Sequence, residues 1–401
     1  MTRLMVATHG HDFNPVHAAM QRYVDGDILP GVASAVLRGQ DLLDVHCTGW
    51  ADKERGIPLR EDHLFRVFSN TKLVTSCTAL LLWEEGHFQL DDPIERFIAP
   101  LGHRFVLKPG ATTLDEVEPA RQPITIRHLL THSSGLSYGL LDPGTLIYEA
   151  YNARKVLNPF TTLADMMDTL ADLPLVFHPG EGWAYSVATD VVSRLVEVVS
   201  GQSFDAFIQS RIFEPLGMVD TGFVVPPDQQ HRLAAYYIGA DAANPLAPGL
   251  RRTDNMPFPQ AYVAPVPRLS GGSGLVSSLA DMLALMRSFL PGGKALLQPQ
   301  TLALLAANHL PDERWIRFAR SGEMPGKGFG LTGALTLTPS PFDPQDSVGE
   351  YQWGGIGGTH WWVSPRQNLA GVLMTQRHMA FWHPFSFEFK QLVYQAVRGQ
   401  G

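Results

Sequence analysis

Two spacings of apolar residues divide the chain. Helical spacing over residues 11–24 is followed by apolar runs at 31–37 and 42–48, which flank a turn containing glycine and aspartate and predict a β-hairpin. From Ser69 onward, apolar residues recur at helical spacing until Gly86, which is typical of a buried helix and its stop signal. After residue 328 strand-like runs return. The chain is therefore predicted to begin and end in strands and to be helical in the middle.

Capping residues and periodicity predict the remaining elements. Asp92-Pro93 is expected to open a helix at 94–98, and Thr125 to cap a helix at 126–132. Residues 256–267, which contain four prolines, are predicted to form a loop. Further helices are predicted at 163–173, 189–200, 204–212, 279–290, 298–306 and 384–397, and further strands at 331–337, 348–353, 359–363 and 369–375.

This order of elements indicates an α/β protein of the α+β type. We expect a mixed, mainly antiparallel sheet flanked by helices, formed by residues 1–68 and 328–401 together. Residues 69–327 are then a large inserted helical domain with irregular loops. Because ligands commonly bind in the cleft between two such units, we expect the functional site there.

Composition narrows the class of protein. The chain has 401 residues and a formal net charge of −8, so it lacks the bulk positive charge typical of nucleic-acid binding. No apolar run approaches the ~18 residues of a membrane span, and the N-terminus does not resemble a signal peptide. Cys47 and Cys77 are too few for a disulfide framework. We expect a cytoplasmic enzyme with a small-molecule substrate and no nucleic-acid or membrane partner; the oligomeric state is not indicated.

The first candidate for chemistry is the pair Ser69 and Lys72. If the helix begins at Ser69, its first backbone N–H groups and its dipole favour a negative charge developing there. Lys72 then lies one turn further along the same face. A serine hydroxyl needs a nearby base to act as a nucleophile, and a lysine can be that base when burial favours its neutral form. A bare Ser-x-x-Lys pattern also arises by chance, so its position at the start of a buried helix is what matters.

Two further segments carry candidate residues. Tyr185 precedes a predicted helix, and its phenol could pass a proton between Ser69 and a leaving group, although a packed tyrosine is the simpler interpretation of this residue alone. Residues 353–359 contain four glycines at the start of a late strand. Glycine in a strand marks a bulge or a close approach by a ligand or another backbone.

The order Ser-x-x-Lys, then Tyr, then a glycine-rich late strand resembles the serine β-lactamase and penicillin-binding-protein superfamily. Within it, the chain is most similar to the class C β-lactamase branch and to the family VIII carboxylesterases. The resemblance covers nearly the whole chain. It rests on Pro30-Gly31-Val32, Leu64-Phe65-Arg66, residues 84–93, residues 126–136 (IRHLLTHSSGL), residues 179–186 and Gly271-Gly272-Ser273-Gly274-Leu275.

The resemblance implies a fold, a mechanism and a set of roles. The fold would be that of the β-lactamase/transpeptidase type. Ser69 would be the acylated nucleophile, and Lys72 and Tyr185 the acid/base pair. The backbone N–H groups of Ser69 and Ile356 would form the oxyanion hole. No metal or cofactor is expected.

Two departures from the superfamily pattern bear on the substrate. Trp353-Gly354-Gly355 stands where the β-lactamases and peptidases have Lys-Thr-Gly, so a cation that binds a substrate carboxylate is missing. Val187 stands where an amide-binding asparagine is common. Both changes favour an ester with a neutral, apolar, short-chain acyl group. The predicted substrate-binding residues are Trp353, Gly354, Gly355, Val187, Tyr138 and His360.

Several alternatives remain open at this stage. The same acyl-enzyme could serve an acyltransferase, a β-lactamase or a D-peptidase. Gly135-Leu136-Ser137-Tyr138-Gly139 matches the nucleophile pentapeptide of α/β-hydrolases, but that motif works only on a sharp strand-to-helix turn. A non-catalytic scaffold is disfavoured because Ser69, Lys72 and Tyr185 are all present. His9 and His11 do not form a clustered metal site.

Overall fold

A computed structural model describes residues 4–241, 243–253, 255–311, 314–318 and 322–398. Its strands are β1 Gly31–Arg38, β2 Asp41–Asp52, β3 Ile57–Pro58, β4 Leu64–Arg66, β5 Phe105–Leu107, β6 Val117–Pro119, β7 Tyr237–Gly239, β8 Leu250–Arg252, β9 Val276–Ser278, β10 Arg317–Phe318, β11 Gly322–Glu323, β12 Lys327–Phe329, β13 Ala334–Thr336, β14 Tyr351–Gly354, β15 His360–Ser364 and β16 Leu369–Met374. Its α-helices are α1 Asn14–Asp25, α2 Thr71–Glu84, α3 Ile126–Leu130, α4 Leu146–Ala153, α5 Leu163–Ala171, α6 Ala188–Ser200, α7 Phe204–Ile208, α8 Glu214–Leu216, α9 Leu279–Arg287, α10 Pro299–Leu305 and α11 Pro384–Arg398.

The main sheet joins the two ends of the chain. Its eight strands run in the order β12-β13-β14-β15-β16-β1-β2-β3, with neighbours antiparallel. β1 and β16 lie next to each other in the middle and are buried along almost their whole length, which explains their continuous apolar sequence. The predicted fold, an antiparallel sheet flanked by helices and interrupted by a helical insertion, is confirmed.

Helices cover both faces of this sheet. α1 and α11 pack on each other and on one face, where alternate side chains of β1 and β16 meet them. On the opposite face α9 packs against β1 and β16. α9 therefore belongs to the layer that covers the sheet, although it lies within the part of the chain predicted to be the inserted helical domain.

The helical region is organised around α2. Its residues from Thr71 to Leu82 are all buried, because α6 and α7 pack against it. The helix is therefore enclosed on every side, in agreement with the buried helix that its sequence predicted. A polar residue such as Lys72 on this helix is consequently held inside the protein.

A short pair of strands brings two distant segments together. β4 pairs antiparallel with β9, from Leu64 opposite Ser278 to Arg66 opposite Val276. The N–H of Val67 continues the ladder by donating to the carbonyl oxygen of Leu275 (3.1 Å). The chain that follows β4 and the loop that precedes β9 are therefore adjacent at the start of α2.

Most predicted helices are present, and the differences lie at their ends. Thr125 caps α3 as predicted, by accepting from the N–H of His128. The helix expected at 94–98 is only a 3-10 turn, Ile94–Arg96, preceded by Pro93 in an extended conformation. The helix expected at 204–212 stops at Ile208 and continues as a π-helical turn. α4 was not predicted from the sequence.

Candidate active site

Ser69 lies in a strained turn between β4 and α2. The turn is a short 3-10 helix, Phe68–Asn70, which runs directly into α2. Phe68 has a φ of +44°, a left-handed conformation that is unfavourable for a bulky residue and is found chiefly where the surrounding structure enforces it. The Phe68 ring is held between Tyr236 and Tyr262. This arrangement fixes the orientation of the Ser69 side chain, which lies at the positive end of the α2 dipole.

Tyr185 contacts the Ser69 side chain directly. Its hydroxyl donates a hydrogen bond to Ser69 Oγ (2.8 Å), and its own oxygen accepts one from the indole N–H of Trp353 (3.3 Å). Tyr185 lies just before α6, and Trp353 lies on β14 of the main sheet. The helical region and the sheet therefore each supply one residue of this short chain of hydrogen bonds.

Lys72 lies behind Tyr185 and is almost completely buried. Its Nζ donates to the carbonyl oxygen of Gly272 (2.7 Å). The same Nζ is 4.7 Å from the centre of the Tyr185 ring and 5.5 Å from that of Tyr138, so two aromatic faces line its surroundings. The structure thus brings together Ser69, Lys72, Tyr185 and Tyr138, four of the residues that the sequence predicted for the site.

Aromatic rings fix the position of Tyr185. Tyr138 stacks on it at 5.6 Å between ring centres, and His132 packs against it at 4.9 Å. Burial, with a contribution from the positive charge of Lys72, lowers the pKa of His132 well below its usual value. Its Nδ1 accepts from the N–H of Ser186 (3.3 Å), so we infer a neutral imidazole that orients the neighbouring tyrosine.

The glycine-rich segment of residues 354–358 presses against the chain that leads to Ser69. A methyl group at Gly355 would collide with the carbonyl oxygen of Val67, and one at Gly357 would lie 2.9 Å from the Phe68 ring. Thr359 also donates to the carbonyl oxygen of Val67 (3.1 Å). The close approach is therefore to backbone, and it brings the turn containing Ile356 next to the turn containing Ser69. The oxyanion role of their N–H groups stays a prediction.

Val187 and His360, two of the predicted substrate-binding residues, are held mainly by other parts of the structure. Val187 is fully buried in the core, where its N–H donates to the carbonyl oxygen of Ser137 (3.1 Å). His360 lies on the α11 side of the sheet, where Nε2 contacts the carbonyl oxygen of Ala380 (3.2 Å) and burial lowers its pKa to about 4. Neither residue hydrogen-bonds to Ser69, Lys72 or Tyr185 in the described part of the chain, but His360 stacks on Phe381 (6.4 Å) and lines the same narrow pocket as Trp353 and Gly354. Their contact with substrate stays a prediction.

Trp353 forms part of an aromatic wall beside the cluster. Phe318 packs against Tyr185 (5.9 Å) and Trp353 (6.2 Å), and Phe381 packs against Trp353 (5.3 Å). Behind this wall a narrow pocket of about 40 Å³ reaches to Trp382. Gly354 lines the same pocket, and a side chain at this position would collide with His360. The surroundings of Ser69 on this side are therefore apolar.

The alternative nucleophile Ser137 has a different setting. It is buried in the loop after α3 and does not lie at the start of a helix. Its N–H donates to the Tyr151 hydroxyl (3.1 Å). Such a loop is not the strand-to-helix turn that the α/β-hydrolase motif requires. The geometry thus favours Ser69.

Some residues of the site were not predicted to contribute. The Gly272 carbonyl that binds Lys72, the histidine His132 and the aromatic Phe318 all lie far in sequence from Ser69. The only signal for the first was the glycine repeat at 271–274. Among the described residues there is no group of three or more His, Cys, Asp or Glu side chains suited to a metal ion, and no helix is long and apolar enough to cross a membrane.

A buried lysine, a serine on a strained turn and a bridging tyrosine, set between an antiparallel sheet and a helical region, define the serine acyl-enzyme class. Comparison with known proteins is consistent with this class: the family model described as Beta-lactamase matches residues 16–380. The chain belongs to that family.

Three relatives place the chain more closely. It is 34% identical to Protein Rv1367c of Mycobacterium tuberculosis over 90% of this chain and 88% of that protein. It is 32% identical to Esterase EstB of Burkholderia gladioli over 86% of each. Among solved structures it resembles EstCE1, described as a hydrolase with promiscuous acyltransferase activity, with a TM-score of 0.80 and 26% identity over 95% of this chain and 97% of that one. The predicted membership of the superfamily is confirmed.

Proposed function

We propose that this protein hydrolyses carboxylic esters with neutral, apolar, short-chain acyl groups through an acyl-enzyme on Ser69. The observation that carries the proposal is the 2.8 Å hydrogen bond between Tyr185 and Ser69 Oγ, with Lys72 buried directly behind the tyrosine. The relatives named as esterase and hydrolase support ester chemistry.

The geometry suggests how the proton moves. Because a phenol oxygen can both donate and accept, Tyr185 can take the proton of Ser69 as the hydroxyl attacks the ester carbonyl, while the phenol passes its own proton to the neutral amine of Lys72. Lys72 therefore acts from behind Tyr185 and not on Ser69 Oγ directly. The N–H groups of Ser69 and Ile356 would bind the oxyanion. Tyr185 then gives a proton to the leaving alcohol and regains one from Lys72, and water releases the acid by the reverse path.

The aromatic wall supports the choice of substrate. Trp353 stands where the related peptidases have a lysine and packs against Phe318 and Phe381, so a substrate carboxylate would find no cation from this segment. Rings of this kind bind an apolar acyl group or alcohol by burying its surface. We therefore expect neutral esters to be hydrolysed much faster than amides or lactams that carry a carboxylate.

The test compares Ser69→Ala with Ser137→Ala. Both replace a serine of the chain by alanine, but only the first removes the proposed nucleophile. Initial rates with p-nitrophenyl acetate, butyrate and octanoate should be lost in Ser69→Ala and kept in Ser137→Ala. Mass spectrometry after exposure to an organophosphate should find the adduct on Ser69. An adduct on Ser137, or full activity of Ser69→Ala, would refute the proposal.

Acyl transfer is the second candidate. Phe318 and Trp353 pack against Tyr185 and make its surroundings apolar, and the structurally similar EstCE1 is described as having promiscuous acyltransferase activity. With an added alcohol acceptor, the ratio of new ester to free acid measures this reaction. A ratio that rises with acceptor concentration while total p-nitrophenol release is unchanged indicates transfer. A chromogenic cephalosporin assayed in parallel measures β-lactamase activity, which we expect to be a side reaction.

Location and partners complete the proposal. We propose a cytoplasmic enzyme that acts on a small-molecule ester without nucleic-acid or membrane partners, in agreement with its net charge of −8. Subcellular fractionation of the native host tests the location. Recovery of the protein in the membrane or extracellular fraction would contradict it.

A further inference from the structure

The loop that holds Lys72 is itself held by a buried carboxylate. Asp190 on α6 is only 1% exposed, and its Oδ1 accepts from the hydroxyl of Ser270 (2.6 Å) and from the N–H of Gly272 (3.4 Å). The carbonyl of the same Gly272 accepts from Lys72 Nζ (2.7 Å). One glycine therefore connects the carboxylate on one side with the amine on the other.

The loop leaves no space between these two groups. A Cβ at Gly272 would lie 2.6 Å from Asp190 Oδ2 and 3.4 Å from Lys72 Nζ. Further hydrogen bonds attach the loop to α2, where Thr75 donates to the carbonyl oxygen of Gly271 (2.8 Å) and Thr71 accepts from the N–H of Leu275 (3.1 Å). The loop is thus fixed to α2 at two points, while Asp190 anchors its centre to α6.

We propose that Asp190 is a positioning residue for Lys72, acting through the Gly272 carbonyl. A lysine side chain has four rotatable carbons, so its amine stays beside Tyr185 only if its acceptor is fixed. Asp190 fixes that acceptor by binding Ser270 and the N–H of Gly272. This inference rests on the proposed function, because it assumes that Lys72 takes part in proton transfer.

Other charged and titratable groups surround the pair. Arg268 and Tyr138 face Asp190, and Tyr138, Tyr185 and His132 face Lys72. The positive Arg268 faces the Asp190 carboxylate, so the carboxylate that anchors the loop has a cation of its own beside it.

The experiment separates position from charge with two substitutions. Asp190→Asn keeps an oxygen acceptor, whereas Asp190→Ala removes it. With p-nitrophenyl butyrate, Asp190→Ala should lower kcat by about 100-fold with little change in KM, as expected when acid/base catalysis is impaired. Asp190→Asn should recover most of kcat.

A second loop variant and a matched control complete the design. Ser270→Ala leaves Asp190 in place and should lower kcat by about 10-fold, which decides the question even if Asp190→Ala does not fold. Asp281→Asn is the control: Asp281 is a buried carboxylate on α9 that binds Thr221 (2.7 Å) and the N–H of Asp220 (2.8 Å), away from Lys72. It should leave kcat unchanged.

The outcomes are distinguishable. Wild-type kcat in Asp190→Ala and Ser270→Ala would overturn the inference, as would an Asp190→Asn variant no better than Asp190→Ala. A folded variant whose KM rises while kcat is kept would also overturn it, because a displaced Lys72 should impair chemistry and not binding. If the wild type itself hydrolyses no ester, or Ser69→Ala remains active, the proposed function fails irrespective of Asp190.

Discussion

Buried lysines lie in two regions of this molecule, and their partners differ. In the cleft, Lys72 donates to a peptide carbonyl and, among the described residues, forms no ion pair with a carboxylate. On the α11 side of the sheet, Lys390 binds Glu350 (2.7 Å) and Lys327 binds Asp343 (2.7 Å). All three lysines are buried to a similar extent.

The difference separates a lysine that must exchange a proton in the proposed reaction from lysines that serve as structural charges. At Asp343, burial opposes ionisation, but Lys390 and Lys327 outweigh it and lower the pKa to about 2. These ion pairs hold the chain from Ser340 to Glu350 against α11. A lysine bound only by a neutral carbonyl can give up its proton without leaving a buried carboxylate unpaired.

The largest effects expected from this comparison are those of Lys72→Met on kcat and of Lys390→Met on the free energy of unfolding. Lys72→Met should lower kcat by roughly 1,000-fold, because acid/base catalysis is lost, with little change in the free energy of unfolding. Lys390→Met should lower the free energy of unfolding by about 3–5 kcal/mol, because it leaves buried carboxylates without a partner. Urea denaturation and kcat with p-nitrophenyl butyrate measure the two effects.

Either variant can break the contrast. If Lys72→Met destabilises the protein as much as Lys390→Met does, Lys72 is a structural charge and the proton path needs another base. If folded Lys390→Met loses kcat to the same extent as Lys72→Met, the two regions are coupled, for which Gln352, bound to Lys390 and adjacent to Trp353, would be the route.

A smaller effect is expected from His360→Leu, which tests whether this histidine belongs to the cleft or to the α11 side. The pKa of His360 falls from 6.5 to about 4 through burial, so the unfolded state binds the proton more readily. The stability it contributes is present above pH 6.5 and is lost as pH falls toward 4. His360→Leu should reduce this loss by about 3 kcal/mol and leave KM for p-nitrophenyl butyrate unchanged.

The measurement is the free energy of unfolding by urea between pH 7 and pH 4, with KM determined at pH 7. Burial also lowers the pKa of His383 to about 4. Because His383 remains in the variant, part of the pH dependence of the free energy of unfolding remains as well. A changed KM with an unchanged pH dependence would restore His360 to the substrate site, as the sequence predicted.

Local sequence placed the candidate residues because they lie near the starts of helices. Ser69 and Lys72 are one helical turn apart and Tyr185 directly precedes a helix, but the tyrosine received its proposed role only from the family resemblance. The antiparallel sheet could be predicted from strands at both ends of the chain. Family resemblance added the order of the motifs.

Sequence could not reveal contacts that depend on tertiary structure. Asp190 and Gly272 come into contact because a loop packs on α6, and no local sequence pattern predicts this contact. His360 was assigned to the site because it is close in sequence to Trp353. The strand register places Trp353 opposite Trp361, so the side chain of the preceding residue, His360, points to the other face of the sheet.

The smallest predicted effect concerns Trp353, the uncharged residue that the main sheet places beside Tyr185. Trp353→Phe keeps an aromatic ring against Tyr185 but removes the indole N–H that the phenol oxygen accepts at 3.3 Å. One such hydrogen bond contributes about 1 kcal/mol, so kcat should fall by about 5-fold with KM nearly unchanged.

Trp353→Lys is the companion variant, because it places a cation where the related peptidases have one. It should improve KM for substrates that carry a carboxylate and weaken the binding of neutral esters. Unchanged KM for both substrate types would mean that residue 353 does not contact the substrate. Its role would then be confined to orienting Tyr185, and specificity would have to come from the neighbouring rings of Phe318 and Phe381.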